Sequence, residues 1–249
     1  MILPPRDCSL CPRLAGFRNA QRTAHPEWFN APVSPFGDEQ PELLIVGLAP
    51  GLRGANRTGR PFTGDYAGDL LYETLRKFGF AEGTYDARSD DGLALRRARI
   101  TNAVRCVPPQ NKPEATEIAN CNRFLAAEIA GVPSLRVILA LGAIAHDSVL
   151  TALGFRRRLF LFAHGRMHTL SSGLVLADSY HCSRLNTNTG KLSPEMFDSV
   201  FAAISDRLAG SQAAPSPRPS PREREEEEGL ACPSLRASGG REGPASAGG

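Results

Sequence analysis

The sequence contains no run of 18 or more apolar residues, which a membrane-spanning helix would need. Its opening, MILPPRDCSLC, places no basic flank ahead of an apolar stretch, as an export leader would. The chain is therefore expected to be soluble and cytoplasmic. Net charge is small as well, a formal +3 over 249 residues. Residues 211–249 carry five arginines and six glutamates (5 − 6 = −1), which leaves +4 for residues 1–210. So mild a balance selects no partner, and nucleic acid has to be argued from where basic residues stand. Without an export signal, the six cysteines read as ligands or buried thiols and not as a disulfide framework.

What is present is an alternation of short apolar runs with amphipathic ones. LLIVG (43–47), RITNAV (99–104), RVILALG (136–142) and LVLADS (174–179) read as strands, the first and third buried on both faces. Helices are predicted over 66–79, 114–130, 143–153 and 195–209. The first carries Leu70, Leu71, Thr74, Leu75 and Phe78 on one face, and the last has Ser193 and Pro194 at its start and Gly210 at its end. Strand and helix in alternation imply one α/β domain, 1–210, with a mainly parallel sheet covered by helices. Ligands of such sheets sit beyond the carboxyl ends of the strands, which here means after Gly47, Val104 and Ser179. Residues 211–249, rich in Pro, Ser, Gly and charge, have too little apolar surface to offset ordering entropy and are expected to be disordered.

Cys8 and Cys11 form a C-x-x-C pair, Cys106 follows the second strand and Cys121 lies in the next helix. A zinc ribbon would show a second close pair, whereas here the later two are widely spaced. Four unevenly spaced thiolates suit an iron–sulfur cluster, with zinc and a metal-free arrangement as the alternatives. The loop GLAPGLRGANRTGRPFTGD (47–65) follows a strand but matches neither G-x-G-x-x-G nor G-K-[ST], so it is not a dinucleotide or triphosphate loop. Its five glycines allow close backbone approach, and Arg53, Arg57 and Arg60 are candidates for phosphate contacts. Phe62 is either a stacking platform for a nucleobase or an anchor in the core. Asp65 is either an ordinary helix N-cap or a carboxylate with chemistry to do. In SYHCSRLNTNTG (179–190), His181 is a candidate acid–base or donor group, while Cys182 points away from it and is not expected to be a nucleophile.

CSLCPRL, the glycine-rich loop ending in Asp65, TNAVRC, Cys121 and HCSRLNTNTG occur in this order over residues 8–190. Together they resemble the uracil-DNA glycosylase superfamily, specifically its iron–sulfur family 5 (type B). The resemblance implies a three-layer αβα sandwich around a mainly parallel four-stranded sheet. It also implies a 4Fe-4S cluster on Cys8, Cys11, Cys106 and Cys121, and monofunctional excision of uracil from DNA by a monomer, with hypoxanthine and xanthine as further substrates. Asp65, His181 and Asn102 would be catalytic, and Gly47, Leu48, Ala49, Pro50, Phe62 and Asn186 would bind the substrate. Leu48 stands where the neighbouring iron–sulfur family has a carboxylate, which leaves Asp65 to activate water. Two rivals remain: a non-catalytic iron–sulfur nucleic-acid binder and an iron–sulfur electron carrier.

Overall fold

The computed structural model describes residues 2–210 of the chain, so the tail assigned to 211–249 lies outside the described residues. In chain order the elements are α1 (Pro12–Ala24), β1 (Phe36–Gly37), β2 (Leu43–Gly47), α2 (Ala55–Thr58), α3 (Tyr66–Lys77), β3 (Ala81–Glu82) and β4 (Ala94–Leu95). There follow β5 (Ala98–Asn102), α4 (Ala115–Ala130), β6 (Val137–Leu141), α5 (Ala143–Ala152), β7 (Met167–Thr169), β8 (Val175–Ser179), α6 (Arg184–Asn188) and α7 (Pro194–Ala209).

The main sheet has the order β1-β5-β2-β6-β8-β7. Its inner four strands are parallel, as their apolar runs predict, and every residue in them is buried. The expected four-stranded sheet is extended to six by β1 and β7, which pair antiparallel at the two edges. Two or three residues are too few to show a period, so these edges were invisible to pattern reading.

Alternation along the strands divides the core. Leu43, Ile45, Ile100 and Leu139 face α3 and α7, meeting Leu71, Leu75, Phe197 and Phe201. Leu44, Val46, Ile138 and Leu176 face α4 and α5, meeting Leu125, Ile129 and Val149. Each such side chain contributes roughly 1.5–3 kcal/mol on leaving water, so these two layers hold the fold. The helices start where their caps dictate. Ser193 accepts from the Met196 amide before α7, and Glu114 and Glu117 form a reciprocal capping box before α4.

Strand β2 leads to α3 on one face of the sheet, while its neighbour β6 leads to α5 on the other. This change of side is where open α/β sheets bind ligands, beyond the carboxyl ends of the two strands.

Candidate active site

Gly47, the last residue of β2, pairs with Asn102, the last of β5. A Cβ on Gly47 would lie 2.5 Å from Asn102 Oδ1 and 2.7 Å from the Phe62 ring edge, so glycine is what lets these two side chains meet over the strand end. Beyond the strands, Ala103 and Val104 donate to the Gly47 and Leu48 carbonyls, prolonging the ladder and fixing the start of the loop. The Phe62 ring lies 5.7 Å from the His181 ring at 26°, which brings the loop after β2 and the loop after β8 face to face. Phe62 is 6% exposed and packs with the α3 face of the core, so it is both anchor and wall. Its backbone sits at φ +52°, an uncommon conformation for a non-glycine residue.

Asp65 precedes α3 in extended conformation, but its side chain makes no capping hydrogen bond. The carboxylate turns instead toward the loop. A Cβ on Gly51 would come within 2.8 Å of Asp65 Oδ2, and one on Gly54 would collide with it. The glycines thus clear room for a carboxylate. Enclosure raises the Asp65 pKa above the ordinary carboxylate value, partly countered by the amides of Gly68 and Ala67.

His181 follows β8 and is half-buried, yet its Nδ1 is shut off from solvent and has no hydrogen-bond partner. That enclosure pushes its pKa down to about 4, so the ring is neutral at pH 7. Asp65 Oδ1 and Asn102 Oδ1 are likewise buried and unpartnered. Buried polar atoms are ordinarily paired. The predicted residues Asp65, Asn102 and His181 thus each keep one polar atom without a partner in the protein.

Other predicted residues are placed differently. Arg60 is no phosphate ligand: it is 4% exposed and grips Asp91 through two bonds of 2.8 and 2.7 Å, with Phe36, Tyr72 and Tyr85 around its guanidinium. Its Nε donates to Thr63, while Tyr72 and Tyr85 hydroxyls donate to the carbonyls of Pro61 and Phe62, so Arg60 and these tyrosines hold the Phe62 segment from behind. Arg53 and Arg57 are exposed. The Asn186 carboxamide donates to the His181 carbonyl at 2.8 Å and so shapes the His181 loop. Cys182 is fully buried, its thiol donating to the Ala67 carbonyl, and burial raises its pKa. Sequence reading passed over Leu185, which stands 72% exposed in α6 beside the site. An isolated leucine in so polar a loop was the available signal.

Cys8, Cys11, Cys106 and Cys121 line one cavity together with Leu14, Arg18 and Phe124. It offers about 330 Å³ of atom-free space, its mouth to solvent included. No three of these sulfurs lie within 4.8 Å of one another. A tetrahedral zinc, with Zn–S near 2.3 Å, needs sulfurs about 3.8 Å apart, so the nest is too wide for a single ion. Donors point at the sulfurs: Arg18 Nη1 reaches Cys106 at 3.4 Å and the Arg105 amide reaches Cys121 at 3.3 Å. Arg18 Nε is buried without a partner. Ala49, two residues beyond Gly47, packs on this cluster of residues and links it to the loop after β2.

Fold and site define an α/β protein with unpartnered polar atoms and facing Phe62 and His181 rings beyond its strand ends, and a separate sulfur nest. The model of the uracil DNA glycosylase superfamily matches residues 34–205, and the chain belongs to that superfamily. It is 43% identical to a type-5 uracil-DNA glycosylase of Thermus thermophilus over 209 residues, covering 82% of this chain and 94% of the relative. A type-5 enzyme of Mycobacterium leprae is 42% identical over 212 residues, covering 82% and 92%. A type-4 uracil-DNA glycosylase of Pyrobaculum aerophilum is 35% identical over 121 residues, covering only 48% and 54%.

Proposed function

We propose that this chain hydrolyses the N-glycosidic bond of uracil in DNA, and that hypoxanthine and xanthine are further substrates. The observation that carries the reading is that Asn102 and the His181 ring both meet Phe62, with Asn102 Oδ1, His181 Nδ1 and Asp65 Oδ1 left unpartnered. A flipped base would stack on Phe62, at roughly 1–3 kcal/mol per stacked base. Asn102 Oδ1 would accept the N3–H of uracil. Hypoxanthine and xanthine present a comparable N–H beside a carbonyl, and Leu48 places no carboxylate against them.

As the bond from C1′ to the base breaks, its electron pair leaves with the base and the sugar becomes cationic. A neutral His181 donates its one N–H to the base oxygen where charge collects. Asp65 stabilises the sugar cation and directs a water oxygen to C1′, the water's proton passing to the carboxylate. The residues in these roles include no amine for a Schiff base, which supports monofunctional hydrolysis. Exposed Leu185 would fill the space the base leaves in the stack.

The sulfur nest fits a 4Fe-4S cluster held by Cys8, Cys11, Cys106 and Cys121: it is wider than one ion needs, and Arg18 and the Arg105 amide face its sulfurs. Such a cluster would supply covalent ties joining the N-terminal segment, the turn after β5 and α4.

Oligonucleotides carrying one uracil, hypoxanthine or xanthine, incubated with the protein and cleaved by alkali, test the reading. Strand scission at uracil is expected, and its absence with every lesion overturns it. The single-turnover rate should show no imidazole inflection between about pH 6 and 8, since neutral His181 persists down to about 4. It should fall in acid as Asp65 gains a proton above its ordinary value. An inflection near 6.5 would mean a solvated imidazole.

Gly54→Ala is expected to lower the uracil rate about 100-fold, because its methyl collides with Asp65 Oδ2. Gly16→Ala on α1, which meets open space, should leave the rate unchanged and raise stability by about 0.5–1 kcal/mol. Equal rates for both variants would dismiss the clearance argument.

A further inference from the structure

The segment between α5 and β7 is not used by the mechanism above. It reads FRRRLFLF over residues 155–162, and its apolar residues alternate in direction. Phe160 packs edge-on against Phe155 and His168, and Phe162 against His146. Leu159 and Leu161 point the other way and stand 67% and 64% exposed.

This exposure is held rigidly. His146, fully buried on α5, spans from Asp178 Oδ1 (2.7 Å) to the Phe160 carbonyl (2.8 Å) through its two ring nitrogens. Arg166 Nη1 donates to the Leu161 carbonyl and the Ala163 amide to Asp178. Two leucines fixed in water by an ordered stem call for a partner, because nothing in the packing requires them there.

The surroundings say which partner. Arg156, Arg157 and Arg158 are all exposed, and residues 152–166 contain no acidic side chain. Asp147 faces Arg157 at 3.4 Å, and Arg156 and Arg158 have no ion-pair partner among the described residues. The segment also runs into the site: His164 Nδ1 accepts from the Tyr180 amide, next to His181, and the Phe162 ring lies 6.1 Å from that of Tyr180. Ile144, 44% exposed, stands in the first turn of α5 two residues after Gly142, whose Cβ position is 4.0 Å from His181 Cβ.

We propose that residues 156–161 form a second DNA-contact surface that grips the duplex flanking the target base. The arginines meet backbone phosphates, and Leu159 and Leu161 meet apolar sugar edges. A polyanion with apolar edges fits this combination of charge and exposed hydrocarbon, and continuity with the His181 loop puts the surface where a strand leaving the site must pass. The inference rests on DNA as the substrate.

Its test uses the full chain with Arg156→Ser/Arg158→Ser and Leu159→Ser/Leu161→Ser, each checked for parental thermal unfolding. The probe is a fluorescent 30-base-pair duplex without uracil, titrated at several salt concentrations. Losing two phosphate contacts should weaken binding about tenfold near 0.1 M salt and flatten the slope of log K against log salt by about 2. The leucine pair should weaken binding severalfold with the slope unchanged. Excision at saturating enzyme should stay within about twofold of the parent for both, since the chemistry lies elsewhere. Parental affinity and slope in both variants would overturn the proposal and leave a protein partner as the occupant. Should the parent fail to excise uracil while the binding series behaves as described, the proposed reaction fails and the DNA surface stands.

Discussion

Asp65→Asn is expected to slow uracil excision about 10²–10⁴-fold under single-turnover conditions while leaving the Kd for uracil-containing DNA within about threefold. The shape of the side chain is kept and only its charge and basicity are lost. Those are what the cationic sugar and the attacking water require. Stability should not fall with activity. The Asp65 side chain makes no capping bond, so α3 keeps its start. Enclosure already disfavours the ionised carboxyl, and a neutral amide removes that burden, so Tm should hold or rise. Retained binding with lost turnover also separates an enzyme from a non-catalytic nucleic-acid binder. A rate within about tenfold of the parent would remove Asp65 from the chemistry.

The parts of this molecule that a sequence discloses are those where one local signal has one physical cause. LLIVG and VILAL are buried strands because no other short element is apolar at every position, and both are buried throughout. Asp65 and His181 could be placed in segments that follow strands because alternation fixes the sheet, whereas Asn102, inside a predicted strand, was singled out only by the family resemblance. Residues whose role depends on a distant partner were not legible in the same way. Arg60 reads like its neighbours Arg53 and Arg57, and only Asp91, 31 residues later, turns it from a surface cation into an internal brace. Phe62 posed a choice between core and platform; its ring packs in the core and also faces His181, which only the fold could disclose. The cysteine spacing left cluster and zinc open. That no three of the sulfurs lie within 4.8 Å of one another is a fact of tertiary structure that no spacing contains.

Removing Glu128 is the other change with a large expected effect, and it acts on stability. Glu128 Oε2 accepts from Arg105 Nη2 at 2.5 Å and from Thr101 Oγ1 at 2.9 Å, and both members of the ion pair are essentially inaccessible. Thr101 adjoins Asn102, and Arg105 adjoins Cys106 while its amide donates to Cys121. One carboxylate on α4 thus anchors the strand that ends in Asn102 and the turn that enters the sulfur nest. Glu128→Ala strands a guanidinium in the core, which costs about 3–5 kcal/mol. That is a large share of a typical total of about 5–15 kcal/mol, so urea or thermal unfolding should show a large loss. Converting the pair to Arg105→Met/Glu128→Leu should recover at least about half of it, because an apolar pair leaves no charge uncompensated. Recovery of stability without recovery of the sulfur nest would show that Arg105 also serves the cysteines directly. If Glu128→Ala costs less than about 1 kcal/mol, the carboxylate is not the anchor between sheet and nest.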